Sequence, residues 1–181
     1  MVGSVKKLLT NITRGDVLNV KTMETIVVEV EATINRRPLT AVNADSRDLE
    51  ALTPAHILYP STFAHSSATI IPDNPLTDAD TLRSNWRRAQ ARVNAFWTAW
   101  SRLYLTSLHE RKKWTKVEKN LKLNDLVLIV EPAVARNEWR LARVVDVESD
   151  DGLVRKATVK RADGKLLLRD RNKIVALELD E

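Results

Sequence analysis

Along the first part of the chain apolar side chains recur at steps of three and four, and along the last third at steps of two, so helices precede strands. Val2, Val5, Leu8, Leu9 and Ile12 form the stripe of an amphipathic helix over residues 2–13, with no convincing cap before Val2. A second helix fits residues 20–35, with Asn19 as N-cap and Ile26, Val27, Val30 and Ile34 on one face. It stops at Arg36-Arg37-Pro38, because the residue before a proline is biased away from helical angles. Residues 39–76 hold four of the six prolines and read as a long irregular connection. Within it, Thr53-Pro54 begins a short helix through Ala55–Leu58. A third helix is expected over 77–118, capped by Thr77, with Asp78 and Asp80 at the positive end of its dipole. Leu82, Trp86, Ala89, Val93, Phe96, Trp100 and Leu103 mark a heptad seam along it, which Trp97, Tyr104 and Leu108 widen.

After Lys122 the period becomes two. Strands are expected at Asp125–Glu131, Glu138–Val147, Leu153–Arg161, Lys165–Arg169 and Lys173–Leu177, with turns at Pro132, Asp151-Gly152 and Asp163-Gly164. The expected class is α+β: two N-terminal helices, a long basic linker helix, then a five-stranded SH3-like β-barrel over 123–178.

Charge sharpens this division. The 181 residues carry 29 Lys and Arg against 24 Asp and Glu, a net charge of +5. Residues 1–80 have 7 basic and 10 acidic side chains, residues 81–122 have 11 and 2, and residues 123–181 have 11 and 12. The excess positive charge therefore lies in one middle stretch, which points to a polyanion, nucleic acid before an anionic membrane surface. Arg88, Arg92 and Arg102 share one stripe of the long helix with Ala95 and Ala99 between them, which leaves room for a phosphate backbone. Arg83 and Arg87 flank it, and Arg111, Lys112, Lys113 and Lys116 extend the field. Arg155, Lys156, Lys160 and Arg161 form a second cluster, with Arg140 and Arg143 on the neighbouring strand. Such contacts give affinity with little sequence preference, and six to ten of them predict a loss of about 10³–10⁵ in affinity between 50 and 200 mM salt. A solvated helix face is the competing reading.

Candidate chemistry is sparse. The absence of cysteine excludes a disulfide scaffold and a thiolate site, and four scattered glycines make no phosphate loop. His56, His65 and His109 lie apart without ligand spacing, and Glu29 and Glu31 diverge on a helix. One aromatic, Trp139, follows residue 122, too few for a methyl-lysine cage. No apolar run approaches the roughly 20 residues of a membrane-spanning helix, and the N-terminus lacks signal-peptide features. The expectation is a soluble intracellular protein with no membrane partner, no active site and no cofactor of its own.

Several segments together resemble a known family. Glu29-Val-Glu-Ala-Thr-Ile-Asn-Arg-Arg-Pro-Leu39, Leu52-Thr-Pro-Ala-His-Ile-Leu58, Phe96-Trp97, Trp100-Ser101, Tyr104-Leu105 and Arg111-Lys-Lys-Trp114 come first. Leu123-Asn-Asp-Leu-Val-Leu-Ile129, Trp139-Arg-Leu-Ala-Arg-Val144, Asp151-Gly-Leu-Val-Arg155 and Lys173-Ile-Val-Ala-Leu177 follow. In this order they resemble the integrase of BEL/Pao-type LTR retrotransposons. The resemblance implies an RNase H-like core with an Asp, Asp, Glu triad holding divalent metal, Mg in the complete family, for phosphoryl transfer. By alignment on Val2-Gly-Ser-Val-Lys-Lys-Leu8 the family's glutamate falls just before Met1, in agreement with the uncapped first helix, so the fragment is expected to be truncated and no enzyme as it stands.

Residues 1–38 are then the last two helices of the core, poorly covered on their apolar sides. Lys6 and Lys7 lie where related integrases touch the DNA end; a solvated helix edge is the equal alternative. The implied partners are DNA, without sequence preference, and other integrase protomers or the rest of the polyprotein. The implied location is the nucleus or a retrotransposon particle. A structural or oligomerisation module and an inactive retroelement relic stay open as alternatives.

Overall fold

Asn19 sets the start of a helix as its chemistry predicts. Its backbone is extended and its Oδ1 accepts a hydrogen bond from the Thr22 N–H at 2.7 Å, satisfying one of the orphan donors of helix α2, Val20–Asn35. Before it runs α1, Val2–Thr13, which ends where Gly15 takes a left-handed φ of +81°. The computed structural model describes residues 2–42, 49–59, 79–108, 120–131, 134–150 and 152–177. The chain forms two compact units, one of residues 1–36 and 55–103 and the other of residues 37–54 and 104–181.

The first unit holds α1, α2, most of α3 (Pro54–Leu58) and the greater part of α4 (Ala79–Leu108). Helix α3 begins at the expected Thr53-Pro54 step. The buried face of α2 is Thr22, Ile26, Val30 and Thr33, while Val27 is exposed and Ile34 half-buried. The face is thus rotated from the apolar one expected, and threonine makes this possible. The Thr33 hydroxyl donates to the Glu29 carbonyl at 2.9 Å, which hides its polar atom and presents a methyl group to the interior. Helix α1 buries no residue.

Helix α4 has 30 described residues, about 45 Å at 1.5 Å per residue. The middle of the expected seam, Ala89, Val93, Phe96 and Trp100, is buried, and Phe96 stacks on Trp100 with ring centroids 6.0 Å apart. Its ends are not: Leu82 is 59%, Trp86 36% and Leu103 45% exposed. A straight helix drifts about 20° per heptad, so the buried line passes from Val93 and Trp100 to Trp97 and Tyr104 and leaves Leu103 on its edge. Thr77, Asp78, the expected continuation to 118, His65, His109 and residues 60–78 of the connection lie outside the described residues.

In the second unit the described part of the connection, residues 39–42 and 49–54, holds two short strands where an irregular run is expected. Strands β1 (Thr40–Ala41) and β2 (Ala51–Leu52) pair antiparallel, and the Leu39 N–H extends the ladder to the Leu52 carbonyl at 2.7 Å. Then come β3 (Leu126–Ile129), β4 (Leu141–Asp150), β5 (Leu153–Arg161), β6 (Leu166–Asp170) and β7 (Ile174–Ala176). They form one antiparallel sheet in the order β6-β5-β4-β3-β7. A 3₁₀ turn, Arg171–Lys173, leads into β7, and Gly152 and Gly164 supply the positive φ of the two tight turns. The sheet is not closed: β6 and β7 are its edges, and no pairing joins them among the described residues.

All four residues of β3 are buried because both of its faces are covered. Val127 and Ile129 join Ala142, Val144, Ala157 and Val159 in one core. Leu126 and Leu128 join Val175 and Leu177 in a second, against which Leu105, Leu108 and Trp139 pack and to which β1 and β2 contribute Ala41 and Ala51. The short hairpin and the last turn of α4 thus close the outer side of the sheet.

Candidate nucleic-acid interface

The basic side chains separate by what holds them. On α4, Arg88 and Arg102 are exposed on the side away from the buried line, with Ala95 exposed and Ala99 half-buried between them. Arg83 and Arg87 are exposed on the flank, as expected. Arg92 departs from the expectation. Its Nη2 is ion-paired with Asp16 Oδ2, in the turn between α1 and α2, so its charge is already met within the first unit. Arg111, Lys112, Lys113 and Lys116 lie outside the described residues. Lys6 and Lys7 are exposed on α1.

On the sheet, Arg143 and Arg140 are engaged within the protein. Arg143 is only 6% exposed, and its Nη1 donates to the Asn124 carbonyl at 2.8 Å. Asn124 has a φ of 73°, in the left-handed region that Asn tolerates, so the guanidinium fastens an unusual turn to the sheet. Arg140 lies between carboxylates, Nη2 at 3.2 Å from Glu138 Oε2 and Nε at 3.9 Å from Glu131 Oε2. Glu131 also takes Arg169 at 3.4 Å. These pairings span loops and strands that spacing alone does not bring together.

Arg155, Lys156 and Lys160 are exposed on β5, and Arg161 is half-buried at its end. The register decides their surroundings. Lys156 stands opposite Glu148 on β4 and Asp170 on β6, two carboxylates that offset its field. Lys160 stands opposite Arg143 and Leu166, with no carboxylate across from it. Arg161 Nη2 is 4.0 Å from Asp163 Oδ2, a loose and partly exposed pair.

Beside Lys160 the surface dips into a groove of about 630 Å³, lined by Lys160, Arg161 and Asp163 together with Leu49, Asn124 and Val145. Leu49 and Asn124 were not among the expected site residues. The signal that finds the groove is arithmetic: counting outward from Asp150 opposite Leu153 sets Arg143 opposite Lys160. The count survives because two register shifts, between Val144 and Asp146 and between Glu148 and Ser149, cancel.

Among the described residues no three His, Asp or Glu side chains are grouped to hold a metal ion, and no helix is long and apolar enough to cross a membrane. Fold and surface together define a mixed helix and sheet protein that displays cations on a long helix and on one end of its sheet. Residues 84–177, just over half of the chain, match the family described as a family of unknown function, DUF5641, and the chain belongs to that family. The match runs from within α4 to the end of the sheet. No curated protein and no solved structure matches the chain.

Proposed function

We propose that this chain is a non-catalytic DNA-binding and assembly region of a BEL/Pao-type retrotransposon integrase, acting in the nucleus or the retrotransposon particle. The observation that carries it is the set of exposed cations, Arg87 and Arg88 on α4 and Lys160 on β5, that have no carboxylate partner among the described residues. Side chains held ready in this way neutralise phosphates without reading bases. We further propose that the five-stranded sheet is a barrel of the SH3-like kind. Its first four strands meander, the fifth lies beside the first, and a 3₁₀ turn precedes the fifth, all of which support that assignment. The exposed apolar side chains Val17, Val20 and Val28 around α2 fit helices made to be covered by another part of such an integrase or by a second protomer.

The test is fluorescence anisotropy of the full chain with a labelled duplex at low salt. Binding is expected, and Arg87→Glu with Arg88→Glu weakens it by about tenfold or more, with the circular dichroism spectrum unchanged. A chain that ignores the duplex in dilute buffer overturns the reading. One observation favours a second reading, an oligomerisation module: Leu82 and Trp86 continue the apolar line of α4 into solvent. Mass in solution separates the two, since a dimer that Leu82→Ala and Trp86→Ala dissolve, in a chain without DNA affinity, leaves only assembly.

A further inference from the structure

We infer that the groove between the start of β3 and the end of β5 holds one nucleotide of a single DNA strand, its phosphate on Lys160 and Arg161 and its nucleoside against Leu49 and Val145. The inference rests on the DNA-binding reading above and gives that reading a site and a strand preference.

The walls of the groove differ in chemistry. Lys160 is exposed, has no carboxylate opposite it on either neighbouring strand, and shares its sheet face with the fixed guanidinium of Arg143. Arg161 is already weakly committed, since its partner Asp163 stands 4.0 Å away. Asp163 itself is occupied, its Oδ1 accepting the Lys165 N–H at 3.1 Å, so turning Arg161 toward a phosphate strands no buried charge. The lining also includes the aliphatic side chains of Leu49 and Val145. Val145 is 42% exposed because it is the extra residue of a β-bulge, which turns a strand side chain outward beside the groove.

Size and shape narrow the ligand. A volume of about 630 Å³ falls within the roughly 300–1,000 Å³ range of small-molecule sites, larger than a phosphate alone requires. The stacked bases of a duplex are kept from Leu49 and Val145 by the outer position of its phosphates, whereas a single strand can turn one base out to meet apolar side chains. Leu49 and Val145 carry no hydrogen-bonding side-chain groups, so their contact with a base is alike for any base.

The full chain, labelled with ¹⁵N, is titrated with thymidine 5′-monophosphate, thymidine and inorganic phosphate. Saturable shifts at the Asn124, Lys160 and Gly164 amides are expected with the monophosphate alone, and Lys160→Glu abolishes them while the rest of the spectrum is retained. In parallel, Lys160→Glu lowers affinity for an oligothymidylate by about tenfold or more and for a blunt duplex by a clearly smaller factor, since the duplex loses one phosphate contact but no base contact; equal losses overturn the strand preference. Equal shifts from inorganic phosphate, or none near the groove in a chain that still binds duplex, overturn the nucleotide site and leave the DNA-binding reading standing. Groove shifts in a chain that binds no oligonucleotide support the site and overturn the wider reading.

Discussion

Tyr104 shows how one side chain ties a helix end to its surroundings. Its hydroxyl donates to the Pro38 carbonyl, and its ring meets Trp139 edge-on with centroids 5.5 Å apart. Burial pushes its pKa above the ordinary 10.0, opposed by the nearby Arg37 guanidinium. Tyr104→Phe keeps the packing and removes the donor, so urea denaturation is expected to show a loss of about 1–3 kcal/mol, the cost of an unsatisfied buried carbonyl. The pH dependence has a definite sign. Because the folded state holds the proton more tightly, stability is full below pH 10.0 and falls as pH rises through the raised value. The phenylalanine variant lacks that alkaline decline, and a parallel decline in both proteins removes Tyr104 as its cause. Arg143 and Lys160, directly opposite one another, divide in the same way between structure and surface. Arg143→Ala releases the Asn124 carbonyl and is expected to cost about 1.5–3 kcal/mol, the range for hydrogen bonds to charged groups. Lys160→Ala is expected within about 0.5 kcal/mol of the parent by the same denaturation curves, as befits an exposed side chain without a partner.

At the scale of elements, the sequence discloses what local chemistry decides. The Asn19 cap, the stop before Pro38, the Thr53-Pro54 helix start and the Asp163-Gly164 turn are properties of a few neighbouring residues, and all are present. The hairpin of β1 and β2 escaped because two-residue strands contain no period to read. Of the seam of α4, Ala89, Val93, Phe96 and Trp100 are buried and Leu82 and Leu103 exposed, since a heptad pattern does not report which turns a neighbour covers. Thermal unfolding tests that distinction. Phe96→Ala is expected to cost about 3–5 kcal/mol because the ring is fully buried, whereas Leu82→Ala, on the same nominal seam but 59% exposed, falls below about 1 kcal/mol. Similar losses at both positions would restore a continuous buried seam. The candidate site was legible as a list of cations but not as a surface. Arg92, Arg140 and Arg143 differ from Arg87, Arg88 and Lys160 only in what stands beside them, and Asp16, Glu131 and Asn124 arrive there through tertiary contacts.

For the molecule as a whole, these pairings change the expected electrolyte behaviour. Six to ten phosphate contacts were expected when every clustered cation was available. With Arg92, Arg140 and Arg143 engaged within the protein, and Arg83, Arg102 and Arg155 each already in an interaction of its own, Arg87, Arg88, Lys156 and Lys160 are the exposed cations of α4 and β5 left to meet phosphate. Four phosphate contacts give a slope of log affinity against log salt of about −3.6, hence roughly a 10²-fold loss between 50 and 200 mM rather than 10³–10⁵. A steeper slope has a definite source in this chain, the four basic residues Arg111, Lys112, Lys113 and Lys116 that follow α4 in sequence. Replacing those four with alanine is therefore expected to bring a steep slope back to about −3.6 while duplex binding persists at low salt. Anisotropy titrations at several salt concentrations measure both proteins directly. If the slope does not respond to the replacement and stays steeper than four contacts allow, other cations than those displayed on α4 and β5 carry the binding.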